Sequence, residues 1–334
     1  MKIYLSIITL FLLSIESHAQ SLKATVVDVG AGLCVVLEIP NDMDTTDPYY
    51  MLYDVGQGCK DDIQALIPAT QEIDLMVLSH NDSDHISNAD DILELYEVKK
   101  ILWSGFERQT LETWKDVNRA IDNETNAEII NLKNDDIAIG TTWIFGQTYV
   151  TFVSGFHVPP TDWGFTPSNA SEYRNAGSIV MRIVYKGKSI LLTGDMVGRD
   201  ETAKFPDSGV IAAEKYVLEN RFAVPIDSDV LVASHHGGDD GSSYPFIRAV
   251  SPEYVIFPAG SKDTYGHPRA TTAQRFLNSG IPIGNIFRTD RDDDESKIEH
   301  WEPNGNTGIN DRSGDDSVII SISDNGKITL SYKN

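Results

Sequence analysis

The sequence predicts an α+β protein in which two β-sheets face each other and helices cover their outer sides. Strand-like segments open the chain at residues 23–29, 33–39 and 50–55, and a second run of strands starts at residue 141. After residue 211, strands alternate with helices. Two groups of strands with helices attached bury their apolar faces most simply as a sandwich.

Helical segments separate the two groups of strands. Residues 61–67 and 90–96 carry apolar side chains at helical spacing, on either side of an apolar run at 73–78. Residues 101–103 predict a short strand, and residues 110–121 predict a longer amphipathic helix. The run at 73–78 is apolar at nearly every position, which is typical of a buried strand.

The second group begins with four strand patterns, at residues 141–145, 149–153, 178–185 and 189–193. Beyond them, helices are predicted at 211–218, 244–250 and 271–278, and strands at 230–233 and 254–257. The sequence Asp324-Asn325-Gly326 is a strong turn signal, so residues 318–322 and 328–332 are expected to close the chain as a hairpin.

The N-terminus has the order of a secretory signal peptide. Lys2 precedes an apolar run at residues 3–15, and Ser17-His18-Ala19 supplies small residues before Gln20. The apolar run is shorter than a membrane-spanning helix requires. We therefore expect residues 1–19 to be a signal peptide and residues 20–334 to be a single exported domain, periplasmic or extracellular, without a transmembrane segment.

The two cysteines, Cys34 and Cys59, would then lie in a compartment that permits disulfides. Each follows a similar turn, and the strands between them are expected to form a hairpin that could bring the thiols together. A disulfide and separate burial as small apolar side chains both remain open.

The chain is strongly acidic, with 27 Lys and Arg against 50 Asp and Glu and a net charge of −23. Such a surface repels phosphate backbones at long range, so stable nonspecific binding of nucleic acid is not expected. Bound cations reverse the local field, so a phosphate substrate is still compatible with this charge.

Four potential metal ligands leave the predicted strand at 73–78 together. His80, Asp82, Asp84 and His85 fall within six positions, which supplies more donors than one tetrahedral ion would take from so short a loop. Two adjacent metal ions are therefore expected. The alternative is a solvated acidic turn in which Asp84 caps a following helix, but the position after a buried strand favours metal binding.

Two further strand ends carry ligand types. Residues 189–193 run into Gly194 and Asp195, and residues 230–233 run into Ser234, His235 and His236. A carboxylate can bridge two cations through its two oxygens, so Asp195 is a candidate bridge and the histidine pair a candidate source of one more ligand. A helix cap and structural hydrogen bonds are the alternatives for these residues.

Taken together, these motifs resemble the metallo-β-lactamase-fold hydrolases and, within them, the hydrolase domain of ComEC-type competence proteins. The resemblance rests on His80-x-Asp82-x-Asp84-His85, Asp54-x-Gly56, Thr193-Gly194-Asp195, Ser234-His235-His236-Gly237, Asn175-x-x-Ser178, Tyr265-Gly266-His267-Pro268 and Arg288-Thr289-Asp290. It implies an αββα sandwich with a dinuclear metal site along one edge, and a phosphodiester or nucleic-acid substrate bound there.

The resemblance also implies a ligand set of two divalent ions, zinc or manganese. One ion would bind His80 and Asp82, the other would bind Asp84, His85 and either His235 or His236, and Asp195 would be shared. Asp82 stands where many relatives carry histidine, and a carboxylate there favours manganese more than an imidazole does. The usual histidine before the bridging aspartate has one candidate, His157, whose alternative is an ordinary loop histidine that leaves the first ion short of a ligand.

The expected chemistry is hydrolysis by hydroxide held between the two ions, with Asp84 orienting the water and Asp54 supporting the ligands. His267 is a candidate proton donor to the leaving oxygen, or else a turn residue before Pro268. Asn175 and Ser178 are candidate donors to a substrate oxygen, or else loop-forming residues. The sequence thus favours an exported phosphodiesterase or nuclease; the alternatives are a lactone or β-lactam hydrolase and a non-catalytic metal-binding protein.

Overall fold

The computed structural model describes residues 21–44, 46–165, 170–199, 209–260, 266–290 and 316–333. The predicted signal peptide lies outside these ranges. Their strands, in chain order, are β1 (Ser21–Val26), β2 (Cys34–Ile39), β3 (Tyr49–Val55), β4 (Leu75–Leu78), β5 (Lys100–Trp103), β6 (Glu128–Asn131), β7 (Thr142–Phe145), β8 (Thr148–Ser154), β9 (Val180–Tyr185), β10 (Lys188–Leu192), β11 (Val230–Val232), β12 (Tyr254–Phe257), β13 (Ile286–Arg288), β14 (Val318–Ser323) and β15 (Ile328–Tyr332).

The α-helices of the described residues pack on the outer faces of the two sheets. They are α1 (Lys60–Leu66), α2 (Ser83–Ile86), α3 (Ala89–Leu95), α4 (Glu112–Asn123), α5 (Ala170–Asn175), α6 (Ala212–Asn220), α7 (Tyr244–Val250) and α8 (Ala270–Asn278). In the described part of the chain, no helix is both long and apolar enough to cross a membrane.

The strands form two mixed sheets. The first has the order β15-β14-β1-β2-β3-β4-β5-β6, and the second has the order β13-β12-β11-β10-β9-β8-β7. Strands β1, β2 and β3 are antiparallel, as predicted, whereas β3 to β6 run parallel to one another. In the second sheet β10 to β13 are also parallel. The sequence did not predict the short elements β6, β13 and α5.

The strand β3 shows how the sheet separates two apolar layers. Met51 and Tyr53 point into the core between the two sheets, while Tyr50 and Leu52 point outward against α1 and its neighbours. The second sheet has its own outer layer, in which Phe246 packs with the helices α6 to α8. Because successive side chains of a strand face opposite sides, each sheet needs cover on both faces, and the αββα sandwich supplies it. The predicted fold class is therefore confirmed.

The carboxyl ends of the parallel strands lie at one edge, where the two sheets are tied together. The Tyr53 hydroxyl donates to the carbonyl of Ile179 at 2.6 Å, and the amide of Ile179 donates to the carbonyl of Ser79 at 2.9 Å. The segments that follow β4, β10 and β11 therefore meet at this edge.

The two cysteines are free thiols in the structure, and both are completely buried. The Cys59 thiol donates to the carbonyl of Gly56 at 3.1 Å. Burial raises the pKa of the Cys34 thiol, and the neighbouring Cys59 thiol raises it further. Of the two alternatives left open by the sequence, the structure has burial as thiols.

Candidate metal centre

The loop after β4 holds its ligands in a fixed conformation because it packs on Gly56. The carbonyl oxygen of Asp84 accepts a hydrogen bond from the amide of Leu33 at 3.1 Å. A Cβ at position 56 would lie 2.3 Å from that same oxygen, which no side chain could tolerate. Glycine in the Asp54-x-Gly56 motif thus allows the loop and α2 to approach the end of β3.

The carboxylate of Asp54 contacts two residues of this loop, Ser79 and His85. It is fully buried, at the end of β3, with a positive φ of 56°. Its carboxylate accepts the Ser79 amide at 2.6 Å and the Ser79 hydroxyl at 2.7 Å, and it lies 2.8 Å from Nδ1 of His85. A carboxylate on Nδ1 places the proton there and leaves Nε2 available for a metal, so Asp54 is placed to orient the imidazole of His85.

Asp195 reaches the same place from the second sheet. Gly194, which follows β10 and Thr193, has a φ of 52°, and a Cβ at this position would lie 2.7 Å from the hydroxyl oxygen of Ser79. The amide of Asp195 donates to the hydroxyl oxygen of Ser178 at 3.2 Å, and the residue is only 3% exposed. The sequence predicted that Ser178 donates to a substrate oxygen. The structure shows that its hydroxyl group fixes the backbone of Asp195.

The histidine pair after β11 is held by two different acceptors. His236 donates from Nδ1 to the carbonyl of Pro258 at 2.7 Å, and Nδ1 of His235 lies 2.7 Å from the carboxylate of Asp240. Both Nε2 atoms are consequently the ones that face Asp195. The sequence analysis did not single out Asp240; its position shortly after the histidine pair is the one sequence feature that could have suggested a supporting carboxylate.

Four side chains converge closely enough to hold a metal ion. One donor atom from each of Asp84, His85, Asp195 and His236 lies within 4.8 Å of all the others. The Oδ1 atom of Asp195 is 3.1 Å from Nε2 of His85 and 3.5 Å from Nε2 of His236, while Oδ2 of Asp84 is 3.5 Å from Nε2 of His236. Two imidazoles and two carboxylates are suitable donors for zinc or manganese.

The electrostatics of this group also fit a cation. Burial acts to raise the pKa of Asp195, but the neighbouring imidazoles, His85 first, hold it well below its usual value. The Asp195 oxygen Oδ1 is buried, yet among the described residues it accepts no well-directed hydrogen bond. A buried carboxylate that stays ionised and lacks a full set of donors is expected where a cation binds.

The other side of Asp195 faces a second pair of imidazoles. Its Oδ2 atom lies 3.8 Å from Nε2 of His80 and 3.8 Å from Nε2 of His235. The Nε2 atom of His80 is buried and has no hydrogen-bond partner within the described part of the chain. The two oxygens of one carboxylate therefore face two different sets of imidazole nitrogens.

Asp82 is turned toward arginines. Its carboxylate is paired with Arg174, whose Nη2 lies 3.0 Å from Oδ2, and with Arg108, whose Nη1 lies 3.1 Å from Oδ1. Asp82 lines the same pocket as the cluster, but it is not among the four convergent donors. The sequence analysis missed both arginines, because ion pairs between residues 26 and 92 positions apart leave no local signal.

His157 lies apart from the metal-binding cluster. Its Nδ1 atom is 3.1 Å from the carbonyl oxygen of Ser104, and its ring packs against Phe106 and lies 6.1 Å from it between centroids. The described structure thus gives this histidine a local partner and does not bring it to Asp195.

A pocket of about 100 Å³ opens directly over the cluster. Asn175 and His267 line it, and the amide nitrogen of Asn175 is 3.3 Å from Nε2 of His235. Burial, with a further contribution from His235 and His236, lowers the pKa of His267 to about 3. A neutral imidazole can donate one hydrogen bond to a substrate, but it lacks the additional proton that protonation of a leaving oxygen requires.

Comparison with known proteins agrees with this geometry. The metallo-beta-lactamase superfamily profile matches residues 27–260, and the chain belongs to that superfamily. Competence protein ComA of Neisseria gonorrhoeae is 33% identical over 116 residues, which cover 35% of this chain and 14% of the relative. ComE operon protein 3 of Bacillus subtilis (strain 168) is 25% identical over 230 residues, which cover 66% of this chain and 24% of the relative.

This chain therefore spans only a minor part of the length of either relative. The resemblance to ComEC-type hydrolase domains is confirmed by these two proteins. Among solved structures, the metallo-beta-lactamase fold protein YhfI from Bacillus subtilis superposes with a TM-score of 0.48 at 12% identity, covering 80% of this chain and 96% of YhfI.

Proposed function

We propose that this protein is an exported, metal-dependent phosphodiesterase of the nuclease type that works with two divalent ions, zinc or manganese. The observation that carries the proposal is the convergence of Asp84, His85, Asp195 and His236 beneath an open pocket. Bound cations would supply an activated water and stabilise the negative charge of the transition state. The residues of the chain would contact the water, donate hydrogen bonds to the substrate and orient the imidazoles.

The protein groups around the pocket have distinct tasks in this proposal. Asp84 is the most exposed of the four ligands, with 40% of its side chain accessible, so it is the carboxylate placed to contact an incoming water. Asn175 lines the pocket from α5 and can donate to a substrate oxygen. The buried Asp54 and the partly exposed Asp240 hold the imidazoles of His85 and His235 in their orientations.

Positive charge near the pocket supports a phosphodiester substrate. Asp82 lines the pocket and is paired with two arginines, Arg108 and Arg174, so this group of three carries a net positive charge. The resemblance to ComEC-type hydrolase domains, which implies a phosphodiester or nucleic-acid substrate, supports the same choice. Since the whole chain has a net charge of −23, we expect capture of a polyanion to be weak and confined to the metal edge.

Export is the second part of the proposal, and it rests on the N-terminal sequence alone. The order of Lys2, the apolar run at 3–15 and Ser17-His18-Ala19 is that of a cleaved signal peptide. A periplasmic or extracellular location would give the enzyme access to phosphodiesters outside the cytoplasm.

A substrate panel tests the activity. The mature protein, loaded with Mn²⁺ or Zn²⁺, is given a chromogenic phosphodiester, single-stranded DNA, duplex DNA, RNA, a lactone and a β-lactam, with Asp84→Asn as the blank. We expect metal-dependent turnover of at least one phosphodiester and little turnover of the β-lactam.

The lactone and β-lactam arms distinguish the alternatives. Activity confined to either of them would replace the phosphodiesterase with an acyl hydrolase of the same superfamily. Metal binding without turnover of any substrate in the panel would support a non-catalytic metal-binding protein.

A further inference from the structure

Two arginines share one carboxylate beside the pocket. Asp82 lines the pocket, and its carboxylate accepts hydrogen bonds from Arg108 at 3.1 Å and from Arg174 at 3.0 Å. One negative charge therefore faces two positive charges. Burial lowers the pKa of Arg108, Asp82 acts against this, and the neighbouring Arg174 lowers it further because the two guanidinium groups repel each other. A second anion would relieve this repulsion.

Both guanidinium groups have donors that Asp82 does not use. Arg108 donates from Nη1 alone, to Asp82 and to the carbonyl of Asn81 at 3.2 Å, whereas Arg174 donates from Nε and Nη2. Among the described residues, Nε and Nη2 of Arg108 and Nη1 of Arg174 have no hydrogen-bond partner. The side chain of Arg108 is 24% exposed, so a ligand can reach it from solvent. A guanidinium with an unused edge is suited to a phosphate oxygen.

Two partly exposed rings lie next to these arginines. Phe106 is two positions before Arg108, and its ring centroid is 6.1 Å from that of His157 at an interplanar angle of 46°. The buried ring of Tyr173, which precedes Arg174 on α5, packs edge-on against Phe106 at 5.7 Å. Aromatic faces beside cationic side chains are the combination with which proteins bind single-stranded nucleic acid.

The loop that carries Phe106 and Arg108 is fastened to the loop of candidate metal ligands. The side-chain amide of Asn81 donates to the carbonyl of Phe106 at 2.5 Å, and Nε1 of Trp114 donates to the same oxygen at 3.1 Å. These bonds fix the ring and the guanidinium before a ligand arrives, which reduces the entropy lost on binding.

The local charge differs in sign from the charge of the whole chain, which is −23. Glu107, in the same loop, is paired with Lys133. Together with Asp82, Arg108 and Arg174, they make a group in which cationic side chains outnumber anionic ones by one. A phosphate is therefore attracted to this place on a chain that otherwise repels it.

The two arginines and the two rings form one surface beside the pocket, which we call the lateral surface: Phe106, Arg108, His157 and Arg174. We propose that the lateral surface binds the part of a single nucleic-acid strand that adjoins the scissile phosphodiester. The arginines hold a neighbouring phosphate, and the rings stack on a base. This inference rests on the proposed phosphodiesterase activity, and it makes an extended single strand a better substrate than a small diester or a duplex.

Binding of three probes tests the inference without requiring turnover. Fluorescence anisotropy measures the affinity of the mature, metal-loaded protein for a labelled oligothymidylate of roughly ten nucleotides, for an abasic strand of the same length and for a duplex. Phosphorothioate linkages slow cleavage during the titration. We expect the oligothymidylate to bind most tightly, because the abasic strand offers phosphates without bases and the bases of the duplex are already stacked.

Arg108→Gln tests the contact with phosphate. It should lower the affinity for the oligothymidylate and for the abasic strand alike, by roughly tenfold or more. The slope of the logarithm of affinity against the logarithm of salt concentration should become shallower by about 0.7. Arg119→Gln, which removes an exposed arginine of α4, is the matched control and should bind as the wild type does.

Phe106→Leu tests the contact with a base, because leucine keeps an apolar side chain against Tyr173 but has no flat face. The affinity for the oligothymidylate should fall by roughly fivefold or more, and the affinity for the abasic strand should not change. His157→Asn should act in the same direction. Phe222→Leu, at an exposed phenylalanine in the turn after α6, is the matched control.

Three results would overturn the inference: wild-type affinity for the oligothymidylate in Arg108→Gln, an equal loss for both strands in Phe106→Leu, and no binding by the wild type at about 0.1 mM protein. Circular dichroism establishes that each variant is folded. Turnover of phosphodiesters with affinities that the variants leave unchanged would refute the lateral surface and leave the proposed activity standing. Strand binding that depends on Phe106 and Arg108, without turnover of any phosphodiester, would do the reverse.

Discussion

His85 and Asp54 are joined by a 2.8 Å contact between Nδ1 and Oδ2, and both side chains are completely inaccessible to solvent. The same carboxylate accepts two hydrogen bonds from Ser79, at the end of the strand that leads to the ligand loop. Asp54 therefore couples the first sheet to the orientation of a metal-binding imidazole. Burial acts to lower the pKa of His85, but Asp195 and Asp54 raise it well above its usual value.

Replacing Asp54 with asparagine should weaken metal binding without removing a ligand. The amide is neutral and can present its nitrogen to Nδ1 of His85, so the imidazole loses the partner that fixes its proton. We expect a fall of roughly 10–100-fold in metal affinity, measured by competition with a chelating dye. Asp61→Asn, an exposed aspartate on α1, is the matched control. Equal affinity in the two variants would show that Asp54 does not act through His85.

Substitutions of the acidic residues around the pocket should separate ligands from supporting groups. Asp84→Asn and Asp195→Asn are expected to lower metal content because an amide is a poorer donor than a carboxylate. Asp82→Asn is expected to keep its metal, since its carboxylate binds Arg108 and Arg174. Elemental analysis after dialysis measures the content of each variant.

Two results would contradict this division. Unchanged metal content in both Asp84→Asn and Asp195→Asn would remove these residues from the ligand set. Loss of an ion in Asp82→Asn would mean that its side chain leaves the arginines to bind metal, as the sequence resemblance implied.

Glu214 on α6 should make the fold less stable as the pH rises. Burial raises the pKa of Glu214 to about 7, against the amide of Ser243, which donates to it at 3.1 Å, and the positive charge of Arg275. The pKa of this carboxyl group in the unfolded chain is 4.5, so the folded protein binds the proton more tightly than the unfolded chain does. The contribution of this proton to the free energy of unfolding is fully present below pH 4.5 and is lost as the pH rises through 7. The total loss is about 3 kcal/mol.

Thermal or urea unfolding across this range measures the effect. Glu214→Gln mimics the protonated acid, so its stability should exceed that of the wild type by an increasing margin between pH 4.5 and 7. Glu219→Gln, an exposed position on the same helix, should follow the wild type at every pH. A constant difference between wild type and Glu214→Gln would show that Glu214 ionises normally in the folded protein.

Processing of the N-terminus is a prediction from the sequence alone. The protein recovered from its producing cell should begin at Gln20, because Ser17-His18-Ala19 provides the small residues that signal peptidase requires. Edman degradation or mass spectrometry of the N-terminal peptide determines the start. An intact Met1 in a soluble cytoplasmic fraction would end the export proposal.

The sequence by itself determined the fold class and most of the elements. Strand patterns and turn residues predicted the hairpins of the first sheet, and the apolar runs before His80, Asp195 and His235 predicted that ligand types leave buried strands. These signals are local, because side-chain periodicity and turn residues act within a few positions. The short strand at Glu128–Asn131 was missed since its half-exposed residues have little apolar contrast.

Only the tertiary structure decided where the candidate ligands lie relative to one another. It turned Asp82 to Arg174, 92 positions away, and it placed His235 on one oxygen of Asp195 and His236 on the other. The left-handed backbone at the histidine pair and the meeting of two sheets at one edge produce this arrangement. Neither leaves a pattern in the sequence, because the distances between side chains from different sheets depend on packing across the whole core.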